Sequence, residues 1–342
     1  MTTAGRSFTW LRSAIARWEV FLLFVLGVTF VCGAQVSQYF LRSSNISIAL
    51  AGMTPAAIVA LPMTLIIVTG EIDISVGSMI GLCATFMAVC FEHGLPIEAA
   101  MLLGIIVGML AGLLNGIIVV YGGLPSLVVT IGTLALYRGV AQIILKERGV
   151  SGFPEWYQNI GFGTIGSTPI PWSSIIFILF FIAFAVFLHA THWGRVLYAI
   201  GNNREATRFS GINVKRAVLG VFVASGAMSS LAAIILTAYL ASARSDTAVG
   251  LELPVITAVV LGGVNIFGGS GTMAGVLIAL LVLAFVQNAL GLAGVTPEGQ
   301  QIVTGAVLIV TLIVFGTSEI IKKAMATLWR SLAIRSSRDS LH

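Results

Sequence analysis

The chain has 342 residues, 58% of them hydrophobic and 9% charged, against about 25% charged in an average soluble domain. A polar shell for a water-soluble protein of this length cannot be drawn from so few charges, so the bilayer is the solvent. The net charge of +5 needs no nucleic-acid partner, because the distribution of the basic residues accounts for it.

Apolar runs of about 20 residues, enough to cross a hydrocarbon core of about 30 Å, recur from end to end. The expected spans are 18–36, 46–69, 76–91, 97–121, 124–145, 173–190, 217–242, 251–267, 272–291 and 300–320. The fold class is therefore all-α: a polytopic transmembrane bundle of about ten helices forming one domain over 1–342. The third and eighth runs are short for a crossing and read as tilted or re-entrant segments, so the count lies between eight and ten. The first run follows Arg6, Arg12 and Arg17 and has a small-residue site near Ala34, the pattern of a secretory signal. The spans after it favour an uncleaved helix. Cys32, Cys83 and Cys90 fall inside apolar runs and read as packing residues.

Lys and Arg gather in short cytoplasmic loops. Arg6, Arg12 and Arg17 precede the first span; Arg195, Arg204, Arg208, Lys215 and Arg216 lie between the sixth and seventh; Lys322, Lys323, Arg330, Arg335 and Arg338 follow the last. These are 13 of the 18 basic residues, and ten alternating spans place them on one face. The tails 1–17 and 321–342 and the loop 191–216 are accordingly expected in the cytoplasm. The loop 146–172 falls outside. Its Phe153, Trp156, Tyr157, Phe162 and Trp172, with Pro154, Pro169 and Pro171, suggest an ordered interfacial loop, either an aromatic belt or a dock for an external partner.

Residues 61–78 align without a gap on 253–270 at an offset of 192, with seven of 18 positions identical and Asp73 opposite Asn265. Both copies run from outside to inside, as expected of parallel repeats. Each is expected to end a Pro-kinked helix in a glycine-bearing break, at Gly70 and at Gly262-Gly263. Such breaks free backbone groups that must be satisfied inside the protein or at a cavity.

Glu71 and Asp73 are carboxylates close together near the membrane, able to hold a proton, a cation or a sugar hydroxyl. The other reading is structural, with Asp73 and Ser75 capping the next helix. Arg244-Ser245-Asp246, followed by Glu252 and Pro254, is a surface ion pair or the polar rim of a pathway mouth. Asn115, Gln287 and Asn288 lie within spans and either bond neighbouring helices or line a pore. Between Gly201 and Gly211 a short helix is expected, capped by Asn202 or Asn203 with Glu205 in its first turn, and Phe209 and Ile212 give it an apolar knob suited to docking. No Gly-x-x-x-x-Gly-Lys-Ser/Thr loop is present, so the chain is not expected to hydrolyse ATP or to be an enzyme. No His-Glu-x-x-His occurs, and His93, His189, His192 and His342 lack ligand-pair spacing, so neither a metal site nor a bound cofactor is expected.

At Gly70 to Ser78, Val259 to Thr272 and Gly201 to Ile212 the chain resembles the permeases of the ribose, xylose, arabinose and rhamnose class of ABC importers, a resemblance running over about 18–320. Ser242 to Asp246 with Leu253 to Gly263 is similar to the autoinducer-2 import permeases. Trp18-Glu19-Val20, Val129 to Thr133 and Tyr198 to Asn203 are similar to the rhamnose permeases. The resemblance implies a multi-pass subunit of a bacterial inner membrane with both termini cytoplasmic. It also implies a second permease copy or a related one, a cytoplasmic ABC ATPase that hydrolyses the ATP, and a periplasmic sugar-binding protein. It places Gly201, Asn202, Arg204, Glu205, Ala206, Arg208, Phe209 and Gly211 against the ATPase, although Thr207 and Phe209 depart from the small and aliphatic residues of the family pattern. Glu71, Asp73, Asn115, Arg244, Asp246, Gly262, Gly263 and Asn265 then belong to the pathway or to its structural motifs. The implied function is import of a monosaccharide or sugar-like molecule: autoinducer-2, rhamnose or a ribose-like sugar. The rival is an ion-coupled secondary transporter using Glu71 and Asp73. An intramembrane enzyme with that pair as acid and base is a more distant one.

Overall fold

A computed structural model describes residues 18–166 and 168–313. The expected tails 1–17 and 321–342, with their basic residues and His342, lie outside these residues, as does the end of the tenth span. Thirteen helices and one two-stranded ribbon are present among the described residues: α1 (Trp18–Val36), α2 (Ser43–Val68), α3 (Val76–Glu92), α4 (Ile97–Gly122), α5 (Ser126–Leu145), β1 (Gly149–Ser151), α6 (Glu155–Phe162), α7 (Trp172–Ala190), α8 (His192–Asn202), α9 (Arg204–Phe209), α10 (Val214–Leu240), β2 (Ser242–Arg244), α11 (Glu252–Leu261), α12 (Met273–Leu292) and α13 (Pro297–Ile313).

Seven of these, α1, α2, α4, α5, α7, α10 and α12, are long and apolar enough to cross a membrane. The shorter α3, α11 and α13 fall at the third, eighth and tenth expected spans. The eighth is the most reduced: ten helical residues followed by a glycine-rich return through 262–272. Helix α2 forms the centre, with 83% of its most apolar stretch buried against 17% for α1 at the edge.

Among the described residues the most extensive helix packing is between α4 and α10. Gly104, Gly108, Gly112 and Gly116 recur every fourth residue, which puts them on one face of α4 and removes every side chain from it. Against that face lie Phe222 and Gly226 of α10: a Cβ on Gly112 would strike the Phe222 carbonyl, and one on Gly226 the Gly108 carbonyl. Ser225, Ser229 and Ser230 keep the α10 side small as well, and all three are buried.

Outside the bundle, β1 pairs antiparallel with β2 in the register Gly149 to Arg244, Val150 to Ala243 and Ser151 to Ser242. The loop 146–172 is thus tied to the loop after α10, and its aromatic residues divide between two roles. Trp156, Phe162 and Trp172 are exposed, as an interfacial belt requires. Phe153 and Tyr157 are instead core residues. The Tyr157 hydroxyl reaches the Ile234 carbonyl at 2.8 Å and Thr237 Oγ1 at 2.5 Å, because α6 lies flat on α10 at Gly161.

The two repeat copies differ from the sequence expectation in two ways. Pro55 and Pro62 lie inside α2, whereas Pro254 sits in the first turn of α11, where its missing N–H interrupts no helical bond, so the second copy has no kink. The helix ends match at an offset of 193 rather than 192. Gly70 N–H bonds Ile67 O at 2.9 Å and Glu71 N–H bonds Ile66 O at 3.1 Å; Gly263 N–H bonds Val260 O at 2.9 Å and Val264 N–H bonds Val259 O at 3.3 Å. Gly70 and Gly263 take the left-handed conformation that such a helix ending demands, with φ of 79° and 88°. Further on the offset returns to 192, since Asp73 Oδ1 accepts from Ser75 N–H and Asn265 Oδ1 from Phe267 N–H. The second copy is one residue shorter between its left-handed glycine and its Asx turn, a deletion that an ungapped alignment cannot register.

Candidate functional site

The two breaks converge. Gly269 N–H donates to Val68 O at 2.9 Å, so the return after α11 bonds directly to the last turn of α2. Helix α8 packs over this junction at Gly201, where a Cβ would run into Val68 O and Gly269 N. Asn202 Nδ2 donates to Gly269 O at 3.1 Å and to Tyr198 O at 2.9 Å, and the Tyr198 hydroxyl donates to Gly271 O at 2.7 Å. Gly201 and Asn202 therefore bind the breaks, Asn202 while remaining exposed.

Helix α9 follows at once. Its cap is Asn203, whose Oδ1 accepts from Ala206 N–H at 2.9 Å, and Gly211 follows its end with φ of 81°. Glu205, Ala206, Arg208 and Phe209 are exposed, Phe209 to 80%, while Thr207 turns inward and bonds Asn203 O at 2.8 Å. The Thr207 departure from the family pattern thus lies on the inner face of the helix. Arg204 reaches back to form an ion pair with Glu71, which is only 7% exposed.

Asp73 takes part in a different network. Its Oδ1 accepts from Ser75 N–H at 2.9 Å and Ser75 Oγ at 2.6 Å, and its Oδ2 accepts from Ser225 Oγ of α10 at 3.1 Å. Ser75 Oγ accepts from Asn115 Nδ2 of α4 at 2.8 Å, and Asn115 Oδ1 lies 2.9 Å from the Tyr137 hydroxyl of α5. This fully buried knot ties the first break to three helices. Ser75 does not cap α3 with its own hydroxyl; Asp73 supplies the acceptor. The two carboxylates hence do not form the shared proton or cation site that the rival transporter and enzyme readings need.

The remaining expected residues make contacts of their own. Arg244 Nε and Asp246 Oδ1 form a 3.0 Å ion pair with both side chains more than half exposed. The hydrogen bond from Arg244 holds the Asp246 carboxyl below the usual carboxylate range. Gly262 and Gly263 pack the α11 end against α12 and Trp18, and Asn265 closes its own turn. Asn288 exchanges amide hydrogen bonds with Asn45 at 2.8 and 3.0 Å, and Gln287 Nε2 reaches Thr304 Oγ1 at 3.3 Å.

Arg138 escaped the reading of the sequence. It donates to the carbonyls of Ser245 at 2.7 Å and Thr247 at 3.1 Å, mooring the loop after α10 to α5. The available signal was its being the sole charge between 126 and 145, a placement that in a membrane segment calls for a partner. Asn45 and the Gly104 to Gly116 ladder were missed too, the latter despite its four-residue spacing.

Residues 45–312 match the family described as "Branched-chain amino acid transport system / permease component". The chain belongs to this permease family. The permease is similar to the autoinducer 2 import system permease protein LsrD of Escherichia coli K12, of Escherichia coli O157:H7 and of Shigella flexneri. It is 36% identical to each over 302 residues, which cover 86% of this chain and 91% of theirs. No solved structure matches it. The family match takes in both breaks, the buried knot and α9.

Proposed function

We propose that the permease is the membrane-spanning subunit of an ABC importer that carries a monosaccharide or sugar-like molecule, of the autoinducer-2, rhamnose or ribose type, into the cytoplasm. Its working partners in this reading are a cytoplasmic ATPase, a second permease and an external sugar-binding protein, and its two termini and the 191–216 loop face the cytoplasm. The relatives' role in autoinducer-2 import supports the substrate class. Conversion of ATP closure into motion of the bundle is supported by one observation. Helix α9 presents an exposed phenylalanine outward while its first residue, Arg204, is ion-paired to Glu71 at the first break. An ATPase that moves α9 pulls on the end of α2 and, through Val68 and Gly269, on the return after α11.

The test is uptake of labelled autoinducer-2 in cells carrying the whole transporter. The double variant Glu205→Arg with Phe209→Asp is expected to lose uptake and to release the ATPase on purification. Wild-type uptake with the ATPase still attached would reject α9 as the coupling element.

A further inference from the structure

At the far ends of the same helices lies a cavity of about 560 Å³, within the range of small-molecule sites. It is bounded by the start of α2, the end of α10, the start of α11, the end of α12 and the start of α13. The breaks sit at the opposite ends of α2 and α11. None of its lining residues is charged. Its polar groups are the amides of Asn45, Gln287, Asn288 and Gln300 and the hydroxyl of Tyr239, set in an aliphatic wall that includes Met53, Pro254 and Leu283.

We propose that this cavity is the permease's own subsite for the transported molecule, and that it selects a neutral, polyhydroxylated ligand of monosaccharide size. The assignment rests on the importer reading above and adds where the cargo sits. Amides both donate and accept, which suits hydroxyl groups that do the same, while a lining without Lys, Arg, Asp or Glu offers no counter-ion to an amino acid or a phosphorylated sugar. Part of the polar lining is already committed. Asn45 and Asn288 hold each other, and Gln300 Nε2 is bonded to Val295 O at 3.1 Å. The Tyr239 hydroxyl and the side-chain oxygens of Gln287 and Gln300 bond no described residue, so they are available to a ligand. Aliphatic side chains opposite them suit the C–H face that every sugar ring carries. Pro254 and Ala258 of α11 form one wall, so the element whose following return bonds the α2–α8 junction through Gly269 also borders the cavity.

The test measures uptake of labelled autoinducer-2, L-rhamnose and D-ribose, each separately, in cells with the complete transporter. Membrane level of the permease and its co-purification with the ATPase are followed in parallel. Tyr239→Phe removes a hydroxyl with no described partner and leaves the packing intact; Gln300→Leu removes an amide; Met53→Trp fills the space. The first two are expected to lower the maximal uptake rate about fivefold or more and the third to abolish it, at unchanged level and ATPase association. If Met53→Trp fails to reach the membrane, Tyr239→Phe decides. Wild-type uptake rates in Tyr239→Phe and Gln300→Leu would overturn the cavity assignment while leaving the importer reading standing. Failure of the wild-type transporter to carry any of the three sugars would overturn both.

Discussion

Arg204 and Glu71, 133 residues apart in sequence, form an ion pair in which the carboxylate is nearly buried and the guanidinium half exposed. Removing the cation leaves a desolvated carboxylate at the end of α2 without its partner, a costlier change than losing a surface pair. Arg204→Ala is expected to cut sugar uptake about tenfold or more while the ATPase, which the proposed reading docks on Glu205 to Phe209, still co-purifies. Exchanging the pair, Arg204→Glu with Glu71→Arg, is expected to recover part of the loss. Equal uptake in wild type and Arg204→Ala would show that the pair carries no coupling.

Asp73 distinguishes a structural carboxylate from a transporting one. Asp73→Asn keeps the Oδ1 acceptor for Ser75, whereas Asp73→Ala leaves the Ser75 amide and the Ser225 hydroxyl unpaired in the interior. Each orphaned group costs about 1–3 kcal/mol, so the alanine variant is expected to fall in membrane yield and melting temperature while the asparagine variant transports. Abolished uptake in a well-folded Asp73→Asn would restore the ion-coupled reading.

The glycine ladder of α4 sets the distance to α10. Gly112→Val places branched carbons where the Phe222 carbonyl already stands, and the helices must separate to accept it. The expected loss is about 1–3 kcal/mol or more, read as a lower melting temperature of the purified permease. Gly132→Ala in α5, where a Cβ meets nothing within 4 Å, is the control expected to melt as wild type does.

Arg138 and Arg244, both at the loop after α10, should behave differently. Arg244→Ala breaks an exposed pair and is expected to keep uptake within about twofold of wild type. Because the Asp246 carboxyl is held low by Arg244, whatever the pair adds is present at neutral pH and disappears only as pH falls through the acidic range. Neutral-pH uptake in Asp246→Asn should therefore resemble that of Arg244→Ala. Arg138→Met removes the moorings of Ser245 and Thr247, and faster proteolysis of the 241–251 loop in that variant, but not in Arg244→Ala, is the expected readout.

Spans and the short helix α9 were legible because hydrophobic length and capping chemistry are local properties: Asn203, Glu205 and Gly211 announce α9 by type and spacing. The sites were less legible because partners are chosen by the fold. Glu71 and Asp73 are two residues apart, yet one turns to a helix beyond residue 200 and the other to α10 and, through Ser75, α4. Phe153 and Tyr157 look like their exposed neighbours until α6 is laid on α10. The one-residue deletion in the second repeat became visible only as a shift in carbonyl partners.

The brevity of α11 has a mechanical meaning. Its ten residues make a rod about 15 Å long that ends at Gly262 and Gly263 and borders the amide-lined space through Pro254 and Ala258. A rotation of about 10° at the glycines carries Pro254 through about 2–3 Å, roughly the width of one hydroxyl group, for a rod of that length. A full-length crossing clamped along both leaflets would lack that freedom, so under the importer reading proposed above the missing turns would let a small tug at the glycines resize the space at the other end of the rod.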